Sequence, residues 1–404
     1  MVEGQYHRDF RKVVYSIEDD IPLRTSETYR RHLETAADSG RPVYGIKGPS
    51  GLSDILRIPD QIPFDPMHLL YIGINKSLLN AIMKYKLANM ETLSSFIDAI
   101  KVPHYFRRKP RRFMTEYGLW KAQEHRHFLL FFAPFVFLDA FRNSLNDDTK
   151  QLYYLFHLLS TAVYLLYGEN ISESDICAAE ICIGEFQRRL VVVFGESVKT
   201  VTLHALRHLP AQVRNFGPLS GVSAMPFENL NRQLKQSVTG TRGTAAAMVH
   251  RYLLFQSVSE KKVSYTNVPQ VLGNSQPFKR FRVGHLVFHT FDYGRTLKSA
   301  SYFAYLSDLK RFVKVRGINF HSHTDFSIVC RNYDCTALSN MSDLLHLPQQ
   351  VFRTLRCKSP FFILTKGDVE AYAPSIFSHH ALIIKLRNSP QHGGVKILNT
   401  FEHD

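Results

Sequence analysis

The run Ile62–Leu79, IPFDPMHLLYIGINKSLL, decides how the rest of the chain is read. Asp65 stands just before Pro66, and apolar residues then recur at helical spacing: Leu69, Ile72, Leu79, Ile82 and Met83. Proline in a first turn with an acidic residue ahead of it is a helix start. Asp65 is therefore the expected N-cap, with His68 about one turn on, so the two side chains can meet at the same helix end. The positive end of the helix dipole disfavours a second proton on His68. A neutral imidazole beside a carboxylate suits metal or acid–base chemistry. Taken alone, the same two residues read first as a cap and a first-turn polar residue.

Outward from that run the chain is basic. Its 404 residues carry 50 Lys and Arg against 35 Asp and Glu, a net charge of +15. Such a balance favours polyanions, nucleic acid before anionic membrane. Hydrophobic residues at 45% and charged residues at 21% describe a globular chain with real cores. The five cysteines form no disulfide framework, which points to a reducing interior. The apolar runs Phe128–Leu138 and Leu152–Tyr167 are short or interrupted, as at His157, and read as buried helices rather than membrane spans.

Before the Asp65 run, Thr25–Asp38 reads as a helix and the Gly- and Pro-rich stretch Gly40–Pro59 as loop. After it, helices are expected at Glu91–Ile100, from about Gly118 to a kink or end at Pro134, and at Asp147–Tyr167, Ser172–Phe194 and Val201–Asn215. Further helices are expected around Phe227–Val238, with an apolar stripe Phe227, Leu230, Leu234, Val238, and at Thr244–Val258. On another face of the Phe227–Val238 helix, Glu228 is placed to pair with Arg232 one turn on. Beyond about Val263 short alternating runs such as RFVKVRGINF, FSIVCRNY and HALIIKL read as strands. The expected organisation is mixed α+β: 1–60 loop-rich, 61–262 helical, and a small β-rich domain at 277–404.

Two other groups carry chemistry. Arg107, Arg108, Lys109, Arg111 and Arg112 fall almost consecutively beside Tyr105, Phe106 and Phe113, and Pro110 argues against a helix through them. A loop of this kind suits phosphate contact with aromatic stacking, or plain solvation. His321, His323, Cys330 and Cys335 have spacings that match no common zinc site, and strand and loop residues are the better reading. Cys177 and Cys182 fall in a helical pattern and read as core thiols.

Three blocks in order, GIKGPSGL…FDPMHLLYIGINKSLL, then RKPRRFMTEYGLWKAQEHRHFLLFFAPFVF, then FGPLSGVSAMPFENLNRQLKQSVTGTRG, resemble the C-terminal half of CACTA-type cut-and-paste transposases. The resemblance covers about Arg24 to Arg251. It implies an RNase H-like core interrupted by a helical insertion, two-metal chemistry on DNA with Mg²⁺, and nuclear residence. Asp65 and His68 match the family's D-x-x-H motif, and Glu228 in PFEN matches its closing catalytic and metal-binding glutamate. The helices between them correspond to the insertion. The departure is upstream. Only 64 residues precede Asp65, too few for the family's strand-rich half, and Asp9, Asp19 and Asp20 match none of its motifs. The expectation is a DNA-binding remnant, catalytically incomplete as given. The alternatives are a domesticated scaffold, or an active transposase whose aspartates come from a longer product. DNA is the expected partner, self-association is left open, and no membrane is expected.

Overall fold

Polar side chains such as Thr25, Asn89, Asn146, Ser172 and Thr200 cap several of the helices. The computed structural model describes residues 4–17, 24–104, 106, 109–144, 146–238, 243–259, 268–274, 276–293, 299–322, 325–338 and 347–398. Thr25 accepts from the Thr28 N–H and opens α1 (Ser26–Ser39), which Gly40 closes at φ 62°. After the turns of 40–62, Asp65 opens a π-helical stretch, Met67–Asn75, which runs without a break into α2 (Lys76–Tyr85). Gly73 lies five residues past His68, and a Cβ there would stand 2.5 Å from the His68 carbonyl oxygen. The wide turn next to the site therefore needs glycine.

Asn89 caps α3 (Met90–Ala99), and a short α4 (Phe113–Glu116) follows the basic segment. Next come α5 (Ala122–His127), a second π-helical stretch at Phe128–Phe132 and α6 (Ala133–Ser144). Of the kink or end expected at Pro134, the end does not occur: the helix continues through it. Ala133 N–H reaches back to the Phe128 carbonyl, which shifts the hydrogen-bond ladder just ahead of the proline. Asn146 then caps α7 (Asp147–Tyr167) and Ser172 caps α8 (Glu173–Phe194). The expected single helix over 201–215 is two, α9 (Val201–Ala205) and α10 (Leu209–Phe216), joined by a tight turn. A hairpin of α11 (Met225–Ser237) and α12 (Thr244–Ser259) completes the helical part.

The centre of that part is α7, buried on nearly every face, with Phe156 stacked on Phe137 of α6 at 4.2 Å. A helix apolar all round must be enclosed on all sides, and α6, α8 and the C-terminal strands enclose it. The apolar stripe expected on α11 does not line up on this core: Phe227 is 69% exposed, and Met225 at the head of α11, with the preceding Ala224, packs against it.

Among the described residues every strand pair is antiparallel. At the N-terminus β1 (Gln5–His7) and β2 (Lys12–Val14) form a hairpin. Toward the C-terminus β3 (Gln270–Leu272), β4 (Arg280–Val283) and β5 (Leu286–His289) make a three-stranded sheet. The remaining strands are β6 (Phe303–Leu306), β7 (Arg311–Phe320), β8 (Phe326–Ala337), β9 (Phe361–Tyr372), β10 (His379–Lys385) and β11 (His392–Lys396). They close a six-stranded barrel in the order β10-β11-β9-β8-β7-β6, with α13 (Gln349–Lys358) inserted before β9. Its interior holds Phe312, Val315, Ile328, Cys330 and Leu364. Its other wall, Phe361, Ile363, Leu382 and Val395, continues the helical core. Gly393 of β11 makes this join possible, because a Cβ there would run into the Phe135 ring of α6. Asp139 of α6 is 1% exposed and pairs with Arg387, tying helix to barrel with charge as well.

Candidate functional site: where Asp65, His68 and Glu228 meet

The three residues singled out at the ends of the helical region come together. Asp65 Oδ1 accepts from the Met67 N–H at 3.1 Å and, across 159 residues, from the Ala224 N–H at 2.8 Å. Its Oδ2 accepts from the His68 N–H at 3.1 Å and also faces His68 Nδ1. The other ring nitrogen, Nε2, lies 3.3 Å from Glu228 Oε1. His68 thus bridges two carboxylates, one from each helix start. The expected Glu228–Arg232 pairing gives way to this contact, and Arg232 donates instead to Asn229 Oδ1 at 2.6 Å.

Local packing holds the strand of chain ahead of Asp65. Gln212 of α10 clamps the Phe64 backbone from both sides, accepting from its N–H at 2.8 Å and donating to its carbonyl at 2.9 Å. Behind the site a buried polar layer links the two helix starts. Arg126, 2% exposed, donates to the Tyr167 hydroxyl at 3.2 Å and contacts Met225 at the head of α11. Burial, then the neighbouring Tyr167, raises the Tyr71 phenol well above its ordinary range.

Asp65 is 22% exposed at its side chain, while His68 and Glu228 are 56% and 57% exposed. An open depression of about 540 Å³ runs beside Glu228 along α11, lined by Asn231, Arg232, Lys235 and Gln236. The donor set does not fit two divalent cations. Asp65 spends both oxygens on three backbone N–H groups and the imidazole, so Glu228 is the one carboxylate with oxygen to offer. Among the described residues no group of three His, Cys, Asp or Glu is placed to hold a metal ion.

The basic cluster divides. Arg107 and Arg108 lie outside the described residues. Arg111 does not face outward as expected of a phosphate contact. Its guanidinium grips Glu124 at 2.7 and 2.8 Å and also donates to the Leu119 carbonyl. Burial pushes the Glu124 carboxyl up, but the hydrogen bonds from Arg111 and the Lys121 backbone prevail and hold it below its ordinary value. Lys109 donates to the Asp98 carbonyl at 2.7 Å, and burial lowers its ammonium's pKa against the pull of Asp98. Arg112 is exposed.

A second basic surface escaped the sequence reading because its residues come from separate strands. Lys314 of β7 pairs in register with Arg331 of β8, and Arg316 and Lys366 stand near. Burial first, then Arg316, Lys366, Arg331 and Lys101, pushes the Lys314 ammonium down to about 8. Its Nζ sits 3.2 Å from the centre of the Phe291 ring. Beside it a groove of about 540 Å³ between α3 and the barrel is lined by Lys101, Tyr302, Lys385, Arg387 and His392, among others.

The cysteines and histidines of the C-terminal region do not assemble. Cys330 is buried in the barrel, Cys335 Sγ contacts the Tyr333 carbonyl at 3.5 Å, and His323 lies outside the described residues. Cys182 is a core thiol as expected, but Cys177 is exposed beside Glu173. Among the described residues no helix is long and apolar enough to cross a membrane. Comparison with protein-family models, curated proteins and solved structures returns no match to the chain.

Proposed function

We propose that the chain is a DNA-binding protein of CACTA-type transposase descent, in which Asp65, His68 and Glu228 keep the arrangement of a former strand-cleavage site. The observation that carries this reading is the contact between His68 and Glu228. Two motifs matched to one family, far apart in sequence, have no reason to touch if each is only a local helix cap. The helices between them then correspond to the family's insertion, and the chain's place is the nucleus.

On this reading the site does not cut DNA by itself. In the family Mg²⁺ polarises the scissile phosphate and activates the attacking oxygen. Here Asp65 is committed to backbone N–H groups and to His68. What the three residues do instead is join α11 to the start of the Asp65 helix. The net charge of +15 and the basic residues around Lys314, of which Arg316 and Lys366 are exposed, support polyanion binding. Arg112 and the Lys101–Lys385 groove are the further contacts to test.

The experiment is a duplex-DNA binding and nicking assay on the purified full chain, with Mg²⁺ or Mn²⁺ and with Glu228→Gln as control. Salt-sensitive binding without nicking is the expected result. Nicking that vanishes in Glu228→Gln would show that metal-holding carboxylates are assembled after all. Absence of any salt-dependent binding would remove DNA as the partner.

A further inference from the structure

The turn between α9 and α10 holds a pair of histidines that the proposed DNA function does not use. His204 Nε2 and His208 Nε2 lie 3.2 Å apart, with ring centroids separated by 5.1 Å. Two imidazoles bound to one tetrahedral Zn²⁺ through bonds of about 2.0–2.1 Å have nitrogens about 3.3 Å and ring centres about 5.2 Å apart. The two rings already stand at that spacing.

We propose that His204 and His208 form a two-histidine binding site for a zinc-class divalent cation, with the remaining positions open to water or an outside ligand. Three observations carry this besides the spacing. His204 Nδ1 donates to the Ser16 carbonyl at 2.8 Å. That bond fixes the tautomer and leaves Nε2 as the nitrogen that carries the lone pair, the arrangement usual for a metal-bound histidine. His208 faces Phe64, ring to ring at 6.0 Å and 15°, which limits how far it can swing. Burial lowers the pKa of both rings, His208 to about 4, so both are neutral ligands at pH 7. Arg207 is the charged neighbour that works against a cation. Without metal, His208 Nε2–H donates to His204 Nε2. Binding requires only that His208 carry its ring proton on Nδ1 instead. Nitrogen donors select zinc, copper or nickel over magnesium.

The position gives the site a role. His204 holds Ser16, and Tyr15 N–H bonds the Lys199 carbonyl at 2.7 Å, so the segment after β2 is laid against the α9 turn. His208 lies nearly parallel to the ring of Phe64, the residue before Asp65, at 6.0 Å. A bound cation would lock the N-terminal segment and the approach to Asp65 onto one turn. This holds whether or not the chain binds DNA.

The test is titration of the EDTA-treated full chain with ZnCl2 by calorimetry, with MgCl2 as control, followed by His204→Gln and His208→Gln checked for folding by circular dichroism. One Zn²⁺ per chain, with affinity lowered about tenfold or more in each variant, is expected, since losing even an outer-shell partner costs about that much. Mg²⁺ should give no heat. No Zn²⁺ uptake, or uptake unchanged in both variants, overturns the proposal. Should either variant fail to fold, zinc-edge X-ray absorption of the wild-type chain decides. Two imidazoles in a nitrogen–oxygen shell support the site, and sulfur ligation or fewer imidazoles overturns it.

Discussion

His68 Nε2 stands 3.3 Å from Glu228 Oε1, so the start of one helix is joined to the start of another through a single imidazole. The other side of that imidazole faces Asp65, whose carboxylate also accepts the Ala224 N–H. The three side chains are unequal in what they hold. His68 and Glu228 are more than half exposed, and an exposed polar contact of this kind contributes at most about 1 kcal/mol. Asp65 satisfies three backbone N–H groups at two helix starts. Asp65→Ala is therefore expected to cost about 1–3 kcal/mol and Glu228→Gln less than about 1 kcal/mol. Asp65→Asn, which keeps an acceptor oxygen, should fall between them. Urea denaturation of the three variants measures this. Equal losses for Asp65→Ala and Glu228→Gln would mean that the exposed pair, not the cap, holds the helices together.

The Asp139–Arg387 pair should be far more sensitive. Asp139 is 1% exposed, and Arg387 reaches it from the barrel while also lying over the Phe96 ring at 5.5 Å. Removing one partner of a fully buried pair costs about 3–5 kcal/mol, an upper bound here because the Arg387 side chain is 34% exposed and its backbone N–H, which the substitution keeps, donates to Asp139 at 2.8 Å. Arg387→Ala should nevertheless lower the thermal midpoint more than Arg112→Ala, whose side chain is exposed. A shift no larger than that of Arg112→Ala would show that water reaches Asp139.

Much of this organisation was legible. Where a polar cap precedes an apolar period, as at Thr25, Asn146 and Ser172, the helices lie where that pattern puts them. The long alternating runs of β7 and β8 read as strands for the same reason. What escaped was whatever tertiary contact decides. HGGVK of β11 has the composition of a turn, yet its glycines make room for Phe135 and Leu364. Pro134 reads as a breaker, yet the π turn before it absorbs the missing N–H. The meeting of Asp65 with Glu228 was suggested only by a resemblance, since nothing in spacing joins residues so distant. The Lys314–Arg331 surface had no signal at all, being assembled by strand register.

Gly393→Ala tests the seam between helices and barrel. The added methyl would meet the Phe135 ring, itself fully buried and edge-on to Phe361 at 5.6 Å. Overpacking of this kind costs about 1–3 kcal/mol. The double variant Gly393→Ala with Phe135→Leu should recover part of the loss, because the smaller side chain vacates the space. Calorimetric midpoints for the single and double variants check this, and strictly additive losses would place the strain elsewhere.

Acid should open the same seam. His157 of α7 is fully buried, bonded to Ser359 Oγ at 2.9 Å and Tyr153 OH at 3.2 Å, and burial pushes it down to about 3. The fully buried His380 of β10 is likewise held at about 3. A histidine whose folded pKa lies below its unfolded value contributes its full stability above about pH 6.5 and loses it as the pH falls from there. Each such group removes up to about 1.4 kcal/mol per pH unit in that window. Unfolding should therefore set in between pH 6.5 and 4, and His157→Gln should flatten the slope of stability against pH. A slope unchanged by that substitution would mean that His157 is as easily protonated in the folded chain as in the unfolded one.

The last prediction concerns charge. If the strands β7 and β8 carry a phosphate-binding surface, its affinity must fall with salt, because each neutralised phosphate releases condensed counterions and adds about 0.9 to the slope of log K against log salt. Arg331→Gln with Lys366→Gln should weaken binding to duplexes of unrelated sequence alike and reduce that slope by about 1 to 2. Lys314 adds a pH signature of its own. At about 8 its ammonium is only partly charged just above neutrality, held down by burial and by Arg316, Lys366, Arg331 and Lys101. A phosphate would favour the charged form, so binding should take up a proton and weaken as the pH rises from 7 to 9. Fluorescence anisotropy at several salt concentrations and pH values reads both effects. If the slope survives both substitutions, the contacts lie instead around Arg112 in the 107–112 segment, and the barrel serves to brace the helices.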